Sequence, residues 1–215
     1  MIKNEIIENN DYNSVFFYIP NFLNKKDELE YKTYLDIMND FVPCYNHKNN
    51  VFRLQKWYQV NNKYFCKDWN VKHKRWFSFS YDKYIFELQN KIQNKLYDLN
   101  LIVQLNSCLI NKYVNGKYYI SNHRDSIISF GEYPTICILS LGEPRTIKFN
   151  RLLYNSNNYK SIKLDKNSNL NSEFLLESGS LFIMSGSSQK YFVHEVPKTN
   201  SNSTRYSLTF REFLI

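Results

Sequence analysis

The chain has 215 residues, 43% hydrophobic and 22% charged, which suits one domain with a substantial core and excludes wholesale disorder. No apolar run approaches the roughly 20 residues that span a bilayer, and the start MIKNEIIENND is charged and polar, so a soluble, intracellular protein without membrane contact or secretory signal is expected. The net charge of +8 and pI near 9.1 favour a polyanionic partner, because Lys and Arg displace counterions from phosphates, although charge alone fits simple solubility equally well.

In chain order, the first periodic segment runs from Asn24 to Phe41. Tyr31, Leu35, Met38 and Phe41 recur at helical spacing, Asn24 can cap, and Asp27 and Glu28 fall in the first turn. An aromatic and basic stretch follows. Phe52, Trp57, Tyr58, Tyr64, Trp69 and Trp76 interleave with Arg53, Lys56, Lys63, Lys72, Lys74 and Arg75, a texture that can stack on bases and grip phosphates or simply pack on a sheet. His47 and His73 lie in this half and read as surface residues or residues facing nucleic acid. A second helix starts at Asp82 and shows one stripe of Ile85, Leu88, Ile92, Leu96 and Leu99.

After Asn100 the texture changes to short strands. Ser107 to Val114, Thr135 to Leu141, Thr146 to Phe149, Leu181 to Met184 and Tyr206 to Phe213 are each bounded by Gly, Pro, Asn or Ser. The Asn/Ser/Lys tract from Asn155 to Ser172 reads as a surface loop with one strand, Ser161 to Leu164, inside it. Helices followed by many short strands predict an α+β domain whose strands form a sandwich or barrel. Cys44, Cys66, Cys108 and Cys137 form no CxxC pair, which argues against zinc and for a reducing compartment.

Three features could carry chemistry. His123 stands two residues before Asp125, so in extended chain the imidazole and carboxylate point the same way and can reach one ion. His194 follows a strand and a turn-like Ser185-Gly186-Ser187-Ser188, and could return a second imidazole from across a barrel. Two His and one carboxylate leave open positions, which suits non-haem Fe(II), though H-x-D with a distant His also recurs by accident. Arg205, Ser207, Thr209 and Arg211 alternate with Tyr206, Leu208 and Phe210. Two guanidiniums on the inner face of a barrel would need an anion, and a dicarboxylate would meet that need; a solvated edge strand is the alternative.

The sequence resembles a known family through six ordered motifs. They are Leu109-Ile110-Asn111-Lys112-Tyr113, His123-Arg124-Asp125, Ile138 to Gly142, Gly179 to Gly186, His194-Glu195-Val196-Pro197, and Arg205 to Arg211, in the order and approximate spacing of the AlkB-type nucleic-acid dealkylases. The resemblance is strong over Asn106 to Phe213. It is weaker before that, where Arg53-Leu54-Gln55-Lys56-Trp57-Tyr58 looks like the segment preceding the family's nucleotide-recognition lid.

The resemblance implies an α+β fold with a double-stranded β-helix (jelly-roll) core in 106–215. Supporting helices and a lid would come from 1–105 of the same domain. It implies Fe(II), 2-oxoglutarate as cosubstrate, and O2. His123, Asp125 and His194 would ligate iron, and Arg205 would pair with the distal carboxylate of 2-oxoglutarate. Arg211 would sit near the metal-chelating end, with Asn111, Tyr113 and Ser207 on the cosubstrate. Arg53, Gln55, Trp57, Tyr58 and Ile127 would meet the base of a DNA or RNA substrate, and a monomer is expected.

Two departures stand out. Base-repairing members often carry an acidic residue two positions after the metal Asp, where this chain has Ile127. The common Arg-x-Asn-Leu-Thr-Phe-Arg strand has Ser207 in place of Asn. Two other readings keep the fold: an oxygenase acting on protein or a small molecule, and a non-catalytic nucleic-acid-binding module.

Overall fold

The computed structural model describes residues 3–7, 13–45, 48–60, 78–154 and 161–214. His47, Tyr64, Cys66, Trp69, His73 and Trp76, with Lys63, Lys72, Lys74 and Arg75 and so most of the expected lid, lie outside them.

The first half supplies β1 (Lys3–Ile7), β2 (Ser14–Ile19), α1 (Lys25–Ile37), β3 (Val42–Tyr45), β4 (Val51–Gln59) and α2 (Lys83–Asp98). The second half opens with β5 (Ser107–Tyr113), β6 (Ile120–His123), α3 (Ile127–Phe130), β7 (Ile136–Gly142) and β8 (Arg145–Tyr154). It closes with β9 (Ser161–Leu164), β10 (Ser172–Leu176), β11 (Leu181–Gly186), α4 (Ser188–Tyr191), β12 (Phe192–Val196) and β13 (Arg205–Arg211). The larger sheet runs β1-β2-β11-β7-β13-β5-β4-β3, and the smaller runs β10-β8-β12-β6 with β9 on β8. Every pairing within both sheets is antiparallel.

Each helix begins where its sequence signal lies. The Asn24 side chain accepts from the Asp27 N–H at 2.9 Å, and Asp82 accepts from the Ile85 N–H at 3.0 Å, each satisfying a donor the helix leaves orphaned. α1 ends at Ile37, short of Phe41, because Met38 already has extended backbone. The buried stripes of α1 and α2 pack on one face of the larger sheet, against Cys108, Ile110, Leu139, Leu208 and Phe210. The opposite face meets the smaller sheet through Phe16, Phe182 and Met184 against Ile147, Phe149 and Phe192.

The architecture is therefore a jelly roll of the α+β class, with one core between its sheets and a second beneath its helices. Gly142 ends β7 at φ +89°, where an added Cβ would stand 2.4 Å from the Thr204 carbonyl oxygen. That close approach lets the chain leave β7 just where β13 begins.

Asp82 also accepts a hydrogen bond from the Tyr34 hydroxyl of α1, so one carboxylate joins both helices. Asp82→Ala is expected to lower the unfolding free energy by about 1–2 kcal/mol. In urea this should appear as a shifted midpoint with unchanged slope; an unmoved midpoint would deny the cap its role.

Candidate active site

β13 lies between β5 and β7, and its register builds the inner face of the larger sheet row by row. Arg205 pairs with Tyr113 and Gly142, Ser207 with Asn111 and Ser140, Thr209 with Leu109 and Ile138, and Arg211 with Ser107 and Ile136. Tyr206, Leu208 and Phe210 point the other way, into the helix-side core. A cavity between the sheets is lined from the larger one by Asn111, Tyr113, Arg205, Ser207, Thr209 and Arg211. The smaller sheet adds His123 and His194, and the apolar walls are Ile138, Ile147 and Met184.

His123 ends β6 and is the direct cross-strand partner of His194 on β12, with ring centroids 4.2 Å apart. Asp125 follows β6, and one potential ligand atom from each of the three lies within 4.8 Å of the others. The Nδ1 of His123 lies 2.9 Å from the Ser121 carbonyl oxygen. A carbonyl only accepts, so Nδ1 carries the proton and Nε2 keeps its lone pair. On His194, Nδ1 is buried without a hydrogen-bond partner.

Burial lowers the pKa of both imidazoles, well below the ordinary value at His194, where His123 and Arg211 add to the effect. Both rings are therefore held neutral, the form that ligates a metal. For Asp125 burial pushes the pKa up, but Arg211 and the two imidazoles outweigh it and hold the carboxyl below its usual value. The Arg211 Nε–H donates to Asp125 Oδ2 at 2.6 Å, leaving Oδ1 for another partner. Two neutral imidazoles and one carboxylate with an uncommitted oxygen fit a divalent transition metal with open positions.

Arg205 lies at the other end of β13, 1% exposed. Its Nε–H donates to Ser140 Oγ at 3.0 Å, and its guanidinium lies 5.3 Å from the centre of the Tyr113 ring. Its Nη1 is buried with no partner. Burial lowers its pKa to about 10, with Arg145 adding repulsion and Tyr113 opposing, so it remains a cation. A buried cation with an unused donor facing a cavity fits a carboxylate arriving from outside the chain.

Asn111, Tyr113 and Ser207 share this cavity with Arg205, and Ser207 stands where a longer Asn would reach farther. Of the residues expected at a substrate, Arg53 is half-buried over the Phe52 ring, its Nε unpaired and its charge felt by His123. Trp57 is buried beside Leu109, Phe130 and Phe213. Tyr58 faces the helix-side core, where its hydroxyl lies 3.7 Å from Met38 Sδ. Gln55 is buried and bonded to Asn111. Ile127, on α3, is 63% exposed.

Sequence reasoning missed Gln189, Ser140 and Arg145. The Asp125 N–H donates to Gln189 Oε1 at 2.9 Å, and Gln189 Nε2 reaches Met184 Sδ, so α4 holds the aspartate's backbone. Arg145 donates to the carbonyls of Tyr118 and Pro197, tying together the chain before β6 and the chain after β12. Nothing local marks these three, since each matters only through a partner distant in sequence.

Residues 16–211 match the family described as the 2OG-Fe(II) oxygenase superfamily. The chain is 34% identical over 107 residues to human "Alpha-ketoglutarate-dependent dioxygenase alkB homolog 3", covering 49% of this chain and 36% of that protein. It is 28% identical over 144 residues to "DNA oxidative demethylase ALKBH2" of Arabidopsis thaliana, covering 62% of this chain and 45% of the relative. The match thus spans less than half the length of either relative. Among solved structures, the epimerase SnoN in complex with Fe3+, alpha ketoglutarate and nogalamycin RO aligns with TM-score 0.60 at 10% identity, covering 91% of this chain and 77% of that one. A prolyl hydroxylase from Trichoplax adhaerens aligns with TM-score 0.54 at 14% identity, covering 92% and 83%; at these identities the likeness shows the fold.

Arg205→Met removes a buried cation that has an unmatched donor. Without added ligand the variant is expected to be as stable as the parent, or more stable by up to about 4 kcal/mol. Thermal or urea unfolding checks this, and marked destabilisation would mean that the guanidinium is already satisfied.

Proposed function

The chain belongs to the 2OG-Fe(II) oxygenase superfamily, and on that premise we propose that it removes alkyl groups oxidatively from nucleic-acid bases, releasing formaldehyde from a methyl group while 2-oxoglutarate is converted to succinate and CO2. Fe(II), 2-oxoglutarate and O2 are the family's working set. Bound together, they supply the oxidising power that inserts oxygen into an unreactive C–H bond.

His123, Asp125 and His194 hold the metal in this reading, and Arg211 fixes the carboxylate that completes the set. Arg205 takes the remote carboxylate of 2-oxoglutarate through its unused Nη1–H, while Asn111, Tyr113 and Ser207 offer polar contacts along the diacid. Ile138, Ile147 and Met184 keep water from the reacting end. The oxidised N-methyl carbon becomes a hydroxymethyl group, whose C–N bond breaks to give formaldehyde and the restored base. A base reaches the cavity by leaving its stack, most cheaply where damage has weakened its pairing.

One observation carries this reading: a buried arginine with an unmatched Nη1 lines the same cavity as a compact His/Asp/His cluster. The choice of substrate is supported by the two relatives, one named as a DNA oxidative demethylase, and by the net charge of +8.

The test is formaldehyde release from matched DNA and RNA oligomers bearing 1-methyladenine, 3-methylcytosine or N6-methyladenine. Release is expected only with Fe(II) and 2-oxoglutarate. His123→Ala should cut succinate formation by more than the roughly 10–100-fold lost when a residue supporting a metal ligand is removed. Turnover of a peptide or small molecule, with every oligomer untouched, would overturn the substrate assignment and leave the oxygenase standing.

A further inference from the structure

Gln55 is bonded to Asn111, one of the residues that line the cavity. It is on β4 directly opposite Asn111 of β5, and Asn111 is opposite Ser207, which is opposite Ser140. The four make one polar row across neighbouring strands of the larger sheet, and the row ends on the serine that receives Arg205 Nε–H. Gln55 is 4% exposed, so within this row its amide can be satisfied only by protein.

Its hydrogen bonds have a direction. The Gln55 Nε2–H donates to Asn111 Oδ1 at 2.8 Å. Its Oε1 accepts from the Cys44 thiol. With Oδ1 committed to Gln55, the Nδ2–H2 of Asn111 is the group left for other partners, and Asn111 lines the cavity with Arg205. An unrestrained asparagine amide rotates between two nearly equal orientations, one of which would turn an oxygen lone pair toward an incoming dianion.

We propose that Gln55 is a positioning residue for the cosubstrate: it fixes the Asn111 amide so that N–H donors, rather than the carbonyl oxygen, meet 2-oxoglutarate. The inference rests on the reading of Asn111 as a cosubstrate contact. It gives Gln55 a place in cosubstrate binding instead of at the base.

Gln55→Glu keeps the size but cannot donate when ionised, so it should draw Asn111 Nδ2 toward itself and turn Oδ1 to the cavity. Gln55→Met removes the restraint without adding charge. Affinity is read by anaerobic titration of the Fe(II)-loaded protein with 2-oxoglutarate, followed by visible absorption, and by the shift in melting temperature that 2-oxoglutarate causes. Asn111→Ala and Gln55→Glu should each weaken binding about tenfold, as expected for the loss of a hydrogen bond to a charged group, and Gln55→Met somewhat less.

In turnover, KM for 2-oxoglutarate should rise by more than kcat falls. Placed in an Asn111→Ala background, neither Gln55 substitution should weaken binding further, because the effect passes through Asn111. Three results overturn the inference, each differently. If Asn111→Ala leaves binding unchanged, the cosubstrate reading of Asn111 fails and takes the inference with it. If Asn111→Ala weakens binding but both Gln55 variants bind normally, only the role of Gln55 falls. If Gln55→Glu is equally harmful in both backgrounds, charge repulsion, not amide orientation, is the cause.

Discussion

The site depends on the register of β13 between β5 and β7. Side chains alternate across a strand, so a slip of one residue would send Arg205, Ser207, Thr209 and Arg211 into the helix-side core and Tyr206, Leu208 and Phe210 into the cavity. Two guanidiniums among Leu88, Ile92 and Leu96 would be intolerable. The apolar burial under α1 and α2 therefore aims the polar face at the smaller sheet. Stability and site geometry are specified by the same alternation.

The two arginines at the ends of that strand meet opposite electrostatic circumstances. Arg211 has an internal counter-ion in Asp125, and both side chains are 6% exposed, so the pair compensates itself. Arg205 has only neutral neighbours in Ser140 and Tyr113, with Arg145 close enough to oppose its charge. One end of the cavity thus holds a compensated ion pair beside the His/Asp/His cluster, and the other holds a cation without a counter-ion of its own. In the proposed function, a diacid reaching from the cluster to Arg205 is the ligand shape that suits this asymmetry.

Much of this was legible in the sequence where the signal is local. The Asp82 cap and the α2 stripe lie in consecutive turns, and the alternation of β13 is visible in seven residues. The strand pattern alone pointed to a sandwich or barrel, and the jelly roll followed from the resemblance to the AlkB-type family. What stayed hidden was partnership. β2 is a short apolar run between Asn13 and Pro20, and its neighbours are β1 and the distant β11. The segment Arg53 to Tyr58, which resembles the approach to the family's lid, lies in β4 and pairs with β5 from Leu54 onward, which buries Gln55 and turns Tyr58 to the helices. Gln189 and Arg145 act on backbone groups, which leave no trace in side-chain pattern.

All three members of the cluster belong to the smaller sheet and the turn after β6, but Asp125 is tied across to the larger sheet, and this has a mechanical consequence. His123 and His194 are cross-strand partners within the smaller sheet and must travel together, whereas Asp125 is clamped to Arg211 of the larger. Because Asp125 stands two residues after His123 and its N–H is held by Gln189, a sliding of one sheet over the other would load the Asp125–Arg211 contact rather than part the aspartate from the two rings. That ion pair is therefore a bolt across the sandwich, engaged only when the hydrophobic filling between the layers holds them at their proper gap.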